Sequence, residues 1–363
     1  MSDTPRTQFF LGANSPSGFY SLYDDLLPPE SAAGIYILKG GPGCGKSTLM
    51  RRVAARCQAF GQPVEYILCS GDPASLDAIV LPRLRIAIVD GTAPHVVEPK
   101  YPGLVEQYVN MGDCYDKAAL ASVRESLFHA MDGYSACYVR AYRCLAASAG
   151  IREDLRSSLL TPALEAKLQK RARGILKREV KPVRAQPGQV KKRFLSAVTP
   201  GGPLCLFSTV ETLANRVYAL QDSYGLSHAL LAPIFSGAAA AGYDVIACPS
   251  PMAPERLEHL IIPELSLAFL TSSPEMPYEG KAYRRLRLDS MADHDLVRRS
   301  RPRLRFARRV ASALTEEACA SLAEAKAKHD ALEAVYHPYV DFKRGEQLAD
   351  SIAAEILSLP QAD

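Results

Sequence analysis

The sequence predicts an α/β protein: tandem P-loop-type parallel sheets, each followed by a helical hairpin, with a degenerate second copy. Three observations carry that expectation. A short apolar run, residues 35–38, leads into a glycine-punctuated loop and then an amphipathic stretch. Three ordered blocks of the first half recur in the second half. Each half also closes on long stretches whose apolar residues fall at helical spacing.

The first element is the clearest. Residues 35–38, Ile-Tyr-Ile-Leu, read as a buried strand, and Leu49, Met50, Val53, Cys57 and Phe60 mark the apolar face of a helix. Between them Gly40, Gly41, Pro42, Gly43, Cys44, Gly45, Lys46 and Ser47, followed by Thr48, match G-x-x-x-x-G-K-[ST] without a departure. Glycines at these places let successive backbone N–H groups turn inward around phosphate oxygens. The positive end of the new helix faces the same anion. In this pattern Lys46 reaches the β- and γ-phosphates and the Ser47 hydroxyl holds Mg²⁺. The ligands expected at residues 40–48 are therefore ATP and Mg²⁺.

Shorter elements surround this motif in the first half. Residues 9–13 form a strand, 15–18 a turn and 19–27 a short helix. Its aromatics, Phe19, Tyr20 and Tyr23, suit either core packing or stacking on a base. Residues 64–68 are a second strand, and Asp72-Pro73 opens a loop or short helix. The apolar run within residues 83–90 ends in Asp90, which brings a carboxylate to the sheet edge where it meets the Mg²⁺ shell. Lys46, Asp90 and His95 are the expected catalytic set, with Ser47 and Asp90 as the metal-binding pair.

The residues after Asp90 exclude several classes. Gly91 stands where many ATP hydrolases carry a glutamate, and Ala93 breaks the D-x-x-G of GTPases. Neither N-K-x-D nor L-S-G-G-Q occurs further along. Thr92, His95 and Glu98 lie where a γ-phosphate sensor or general base belongs, in a segment that Pro and Gly also suit to a structured loop.

Residues 119–145 and 162–179 have helical patterns, and basic residues outnumber acidic ones over 152–193. That run fits a lid over phosphates, a nucleic-acid face or a solvated helix surface. No aromatic residue interleaves it before Phe194, which disfavours nucleic acid.

The chain then starts again. Residues 194–202 repeat 10–18, residues 216–225 fall on 34–43, and residues 257–273 fall on 76–92. The offset drifts only from 184 to 181. The second copy keeps the apolar strand positions and loses the phosphate chemistry. Asp222 stands opposite Gly40, Ser227 opposite Gly45, His228 opposite Lys46, Ala229 opposite Ser47 and Thr271 opposite Asp90. This copy reads as a structural or regulatory pseudo-domain, or as the same cleft put to a different ligand. Arginines crowd residues 283–309, suiting an arginine finger, nucleic acid or solvent, and Pro338 breaks a final helical pattern. The segments expected are an active domain at 1–116, a helical insert at 117–192, a degenerate domain at 193–292 and a C-terminal helical segment at 293–363.

Composition sets the outer bounds. At 363 residues and 48% hydrophobic content the chain supports two cored domains. A net charge of +4 is too mild to imply a polyanion partner, and nine cysteines without C-x-x-C pairs indicate neither a zinc ribbon nor a disulfide framework. The first residues lack signal-peptide character, and Pro233 interrupts the most apolar stretch, so a cytoplasmic protein without a membrane span is expected.

The paired organisation, with residues 18–24, 39–47 and 90–103, resembles a little-characterised bacterial family of tandem P-loop ATP-binding proteins. The resemblance covers nearly the whole chain and implies ATP binding. Family members often carry an intact second loop, from which this chain departs. The leading expectation is an Mg-ATP-binding protein that hydrolyses slowly and acts as a switch, with one working site and one pseudo-site. Alternatives are a small-molecule or nucleoside kinase whose lid is the helical insert, and a nucleotide-responsive binding protein without turnover. A protein partner or a second copy of the chain is compatible with each.

Overall fold

The computed structural model describes residues 6–94, 96–131 and 134–359. The chain forms two compact units. The first contains Arg6–Gly12, Ser21–Arg140 and the chain from Ala320 onward, and the second contains Ala13–Tyr20 and Ala141–Cys319.

The first copy supplies β1 (Thr7–Phe9), β2 (Gly12–Ser15), β3 (Gly18–Ser21), β4 (Gly34–Lys39), α1 (Lys46–Ala59), β5 (Glu65–Leu68), β6 (Leu76–Leu81), β7 (Ile86–Asp90) and β8 (Glu106–Asn110). Helices α2 (Lys117–Leu120), α3 (Arg124–Met131), α4 (Tyr134–Leu159) and α5 (Pro162–Glu179) come next. The second copy supplies β9 (Val190–Lys192), β10 (Ser196–Thr199), β11 (Gly202–Cys205), α6 (Phe207–Leu213), β12 (Arg216–Gln221), α7 (Ser227–Ala240), β13 (Val245–Ser250), β14 (Ala253–Ile262), β15 (Leu267–Ser272) and β16 (Arg284–Arg287). The chain ends on α8 (His294–Tyr336) and α9 (Phe342–Ser358).

The two six-stranded sheets have the same topology. Their orders are β8-β4-β7-β6-β5-β1 and β16-β12-β15-β14-β13-β9. The likeness reaches the backbone: among the described residues Arg85 and Ser266, at equivalent places, are the non-glycine residues with positive φ, +54° and +49°. The sheets are mixed rather than purely parallel. β6 and β14 each run antiparallel to both neighbours. The reason is connection length, because a parallel crossover needs about a dozen residues or more. The links from β5 to β6 and from β13 to β14 are far shorter than that.

Local sequence explains most elements. Residues 35–38 of β4 are all buried, and Leu49, Met50, Val53, Ala54 and Cys57 form the inner face of α1. Phe60, expected on that face, ends the helix and is 71% exposed. Thr161 caps α5, its hydroxyl accepting from Leu164 N at 3.3 Å, and Pro162 opens the helix without wasting a donor. Leu164, Leu168, Ala172 and Ile175 of α5 then pack with Leu230, Leu231 and Ile234 of α7 into the second unit's core.

Some expectations were misplaced. The stretch 19–27 is not one helix: it is β3 followed by a single 3-10 turn, Tyr23–Asp25. Turn chemistry decides this, since Ser15 Oγ donates to Gly18 O at 2.7 Å and closes the loop joining β2 to β3. β8 has no apolar run to announce it, because it is an edge strand with three of five residues exposed. The apolar stretch around Pro233 is α7, and among the described residues no helix is long and apolar enough to cross a membrane.

Candidate functional site

The glycine loop of the first unit joins the C-terminal end of β4 to the N-terminus of α1. β7 lies directly beside β4 and parallel to it, with Leu38 opposite Asp90. The loop and the aspartate therefore emerge at the same edge of the sheet. Lys46 Nζ donates to the carbonyls of Gly40 at 2.8 Å and Gly41 at 3.1 Å, and lies 3.5 Å from Asp90 Oδ2. Both side chains are 13% exposed, so each offsets part of the other's desolvation. The other Asp90 oxygen accepts from Thr92 N at 2.9 Å and Thr92 Oγ1 at 2.6 Å, which fixes the carboxylate plane. Ser47 Oγ, one residue into α1, accepts from Leu76 N at 3.0 Å.

The segment after Asp90 is braced from β4. Lys39 Nζ donates to Gly91 O at 2.8 Å, Val97 O at 3.0 Å and Glu98 Oε1 at 2.6 Å. Glu98 also accepts from the Tyr108 hydroxyl. The bonds from Lys39 and Tyr108 hold the Glu98 carboxyl below its usual range, so it serves as a strut and is a poor proton acceptor. Thr92 is a positioning residue for Asp90. His95 lies outside the described residues. Gly91 has a steric reason: a Cβ there would stand 2.5 Å from Ile37 Cγ2, so a glutamate after Asp90 has no room.

Two contributors were invisible in the sequence. The first is Glu333 of α8, whose Oε1 accepts from Gly43 N at 3.1 Å. Gly43 has φ +70°, which turns its N–H out of the chain's path, and Gly225 repeats this at φ +72° in the second copy. Tyr115 completes the cover by donating its hydroxyl to Pro42 O at 2.8 Å while its ring meets Tyr336 at 5.3 Å. No local signal marks Glu333, which sits in a helical pattern almost 300 residues beyond the loop. The second is Asp77, buried on β6 beside the Asp90 strand, where Ala78 pairs with Val89. It accepts from the Tyr23 hydroxyl at 2.9 Å. Burial, and then the Asp77 charge, push the Tyr23 hydroxyl above its usual range, so Tyr23 is a core hydrogen-bond donor.

The equivalent loop of the second unit is closed by its own acid. Asp222 Oδ2 accepts from Ser227 N at 2.7 Å and from the Ser227 hydroxyl, while Oδ1 accepts from Tyr224 N at 3.0 Å. Ser223 N is taken by Asp289 Oδ1 at 2.9 Å. His228, in the lysine's place, accepts from Leu257 N through Nδ1 at 3.0 Å. Thr271, in the aspartate's place, donates its hydroxyl to Glu258 O. Three backbone donors of this loop, the N–H groups of Ser223, Tyr224 and Ser227, are thus spent on internal carboxylates.

Residues 21–81 match a family model described as Nephrocystin 3, N-terminal. The match spans β4, the glycine loop and α1. No curated protein and no solved structure matches the chain.

Proposed function

We propose that the first unit binds Mg-ATP and hydrolyses it slowly, so that the nucleotide acts as a switch. The observation that carries this reading is the Gly43 N–H held by the Glu333 carboxylate, beside a Lys46–Asp90 pair drawn from the first residue of α1 and the last of β7. An inward N–H that already takes a carboxylate is a donor suited to a phosphate oxygen. The triphosphate would be held by the backbone of residues 40–48 and by Lys46. Ser47 and Asp90 would hold Mg²⁺, Asp90 through water. ATP supplies the anhydride bond whose γ-phosphoryl passes to water. Slow turnover follows from the lack of space at Gly91 and from the commitment of Glu98 to Lys39.

Glu333 gives the switch its lever. A phosphate on Gly43 N–H and a carboxylate on the same donor exclude each other, so nucleotide arrival must release this point of α8. Glu333→Gln is expected to tighten ATP binding about tenfold, because a charged hydrogen bond no longer competes. Calorimetric titration checks this, and unchanged affinity would remove Glu333 from the site.

The test of the function itself is phosphate release by wild type and by Asp90→Asn. Wild type should release phosphate slowly without an added acceptor, and the variant should retain nucleotide binding but lose its Mg²⁺ dependence. Turnover that appears only with a small-molecule or nucleoside acceptor would indicate a kinase. Binding with no release under any condition would indicate a switch without chemistry.

A further inference from the structure

We propose that the cleft of the second unit is a binding site for a small, largely apolar organic acid whose carboxylate is taken by Arg308 and His228. The cleft encloses about 550 Å³, within the roughly 300–1,000 Å³ typical of small-molecule sites. Val198, Met252, Leu257 and Met276 contribute apolar wall. It lies where the first copy places its phosphate loop, yet its chemistry is different.

The charged groups decide the ligand class. Four arginines line the cleft, and three are already paired. Arg156 forks onto Glu153 at 2.6 and 2.9 Å, Arg256 joins the same carboxylate, and Arg152 meets Glu275 at 3.0 Å. Arg308 differs. Its guanidinium lies over the Tyr224 ring, 5.3 Å from the centroid, and forms no ion pair among the described residues, although its charge acts on Asp289 from farther off. Stacking on an aromatic face leaves the edge of the guanidinium free, and that fork matches a carboxylate in two parallel hydrogen bonds.

His228 supplies a second donor. Burial, then Arg256 and Arg156, lower its affinity for a second proton, so the ring is neutral. Since Nδ1 accepts from Leu257 N, the proton sits on Nε2, which has no partner among the described residues. Of the other lining carboxylates, Glu258 accepts from the Ser196 hydroxyl and Glu255 lies 3.5 Å from Arg256. Among the cleft's arginine and imidazole groups, the donors without an ion pair or hydrogen bond among the described residues are therefore the Arg308 fork and the His228 Nε2–H. A phosphate is disfavoured because Asp222 already holds the N–H groups of Tyr224 and Ser227 and would face a dianion. A monoanion with an apolar body answers both the free donors and the walls.

Methyl-labelled methionine spectra of the full chain test this, since Met252 and Met276 line the cleft. The probes are octanoate, 4-phenylbutyrate and naphthalene-2-carboxylate, each beside its carboxamide, with phenyl phosphate as the phosphate arm. At least one carboxylate should shift the Met252 and Met276 methyls saturably, with its carboxamide and phenyl phosphate more than tenfold weaker. Arg308→Leu and His228→Phe should each weaken that binding more than tenfold while the remaining methionine signals stay in place. Arg309→Leu, at a neighbouring position, and Lys46→Ala, at the first loop, should leave it unchanged. The proposal is overturned if no carboxylate moves the two methyls at millimolar concentration. It is equally overturned if the carboxamides bind as well, or if Arg308→Leu and His228→Phe bind like wild type.

Discussion

Lys46→Ala should abolish the stabilisation of this protein by ATP. At a nucleotide concentration a hundred times the dissociation constant, a bound ligand raises stability by roughly 2.7 kcal/mol. Most of that depends on a compensating charge at the phosphates, and Lys46 is the cation placed at the loop's end, folded onto the Gly40 and Gly41 carbonyls. Removing it also leaves Asp90, 13% exposed, without its ion-pair partner, so a phosphate would meet an unopposed carboxylate. The unliganded variant should lose only modest stability, because the strands under the loop are buried independently of it. Thermal melts with and without Mg-ATP, with circular dichroism as the folding control, measure this. An equal ATP-induced rise in wild type and variant would show that the nucleotide binds elsewhere.

One nucleotide per chain is the second expected result. A titration with a non-hydrolysable ATP analogue should saturate near a stoichiometry of one, although the sheet that carries a phosphate loop is present twice. The second loop retains the turn, as Gly225 shows, but its Tyr224 and Ser227 N–H groups are held by Asp222, itself only 4% exposed. Displacing a buried, triply hydrogen-bonded carboxylate with a like-charged ligand costs both the bonds and the repulsion. His228 is neutral and its Nδ1 is engaged, so it does not replace the lysine. Two saturating sites, the second surviving Lys46→Ala, would mean that the second cleft accepts a triphosphate by another arrangement.

The sequence by itself determined the parts whose physics is local. An apolar tetrad followed by spaced glycines and a lysine specifies strand, loop and helix, and the structure has all three at residues 34–59. The repeat was legible because buried strand positions keep their apolar character when the chemistry is lost, as in Val217–Leu220 against Ile35–Leu38. Helix α5 was legible from the helical pattern of residues 162–179, and the structure has it at Pro162–Glu179.

Tertiary structure alone decided the rest. The antiparallel course of β6 and β14 follows from short links, which apolar pattern does not encode. The lack of room after Asp90 is set by Ile37 on the next strand, and the engagement of Glu98 by Lys39. Glu333 reaches Gly43, and Asp222 folds back on Ser227, because a carboxylate finds a free N–H in three dimensions, whatever the distance along the chain. Arg308 likewise owes its character to the aromatic ring that the fold places against it. Hydrogen bonds between distant segments leave no periodicity in a sequence, so these partners became visible only when the chain was folded.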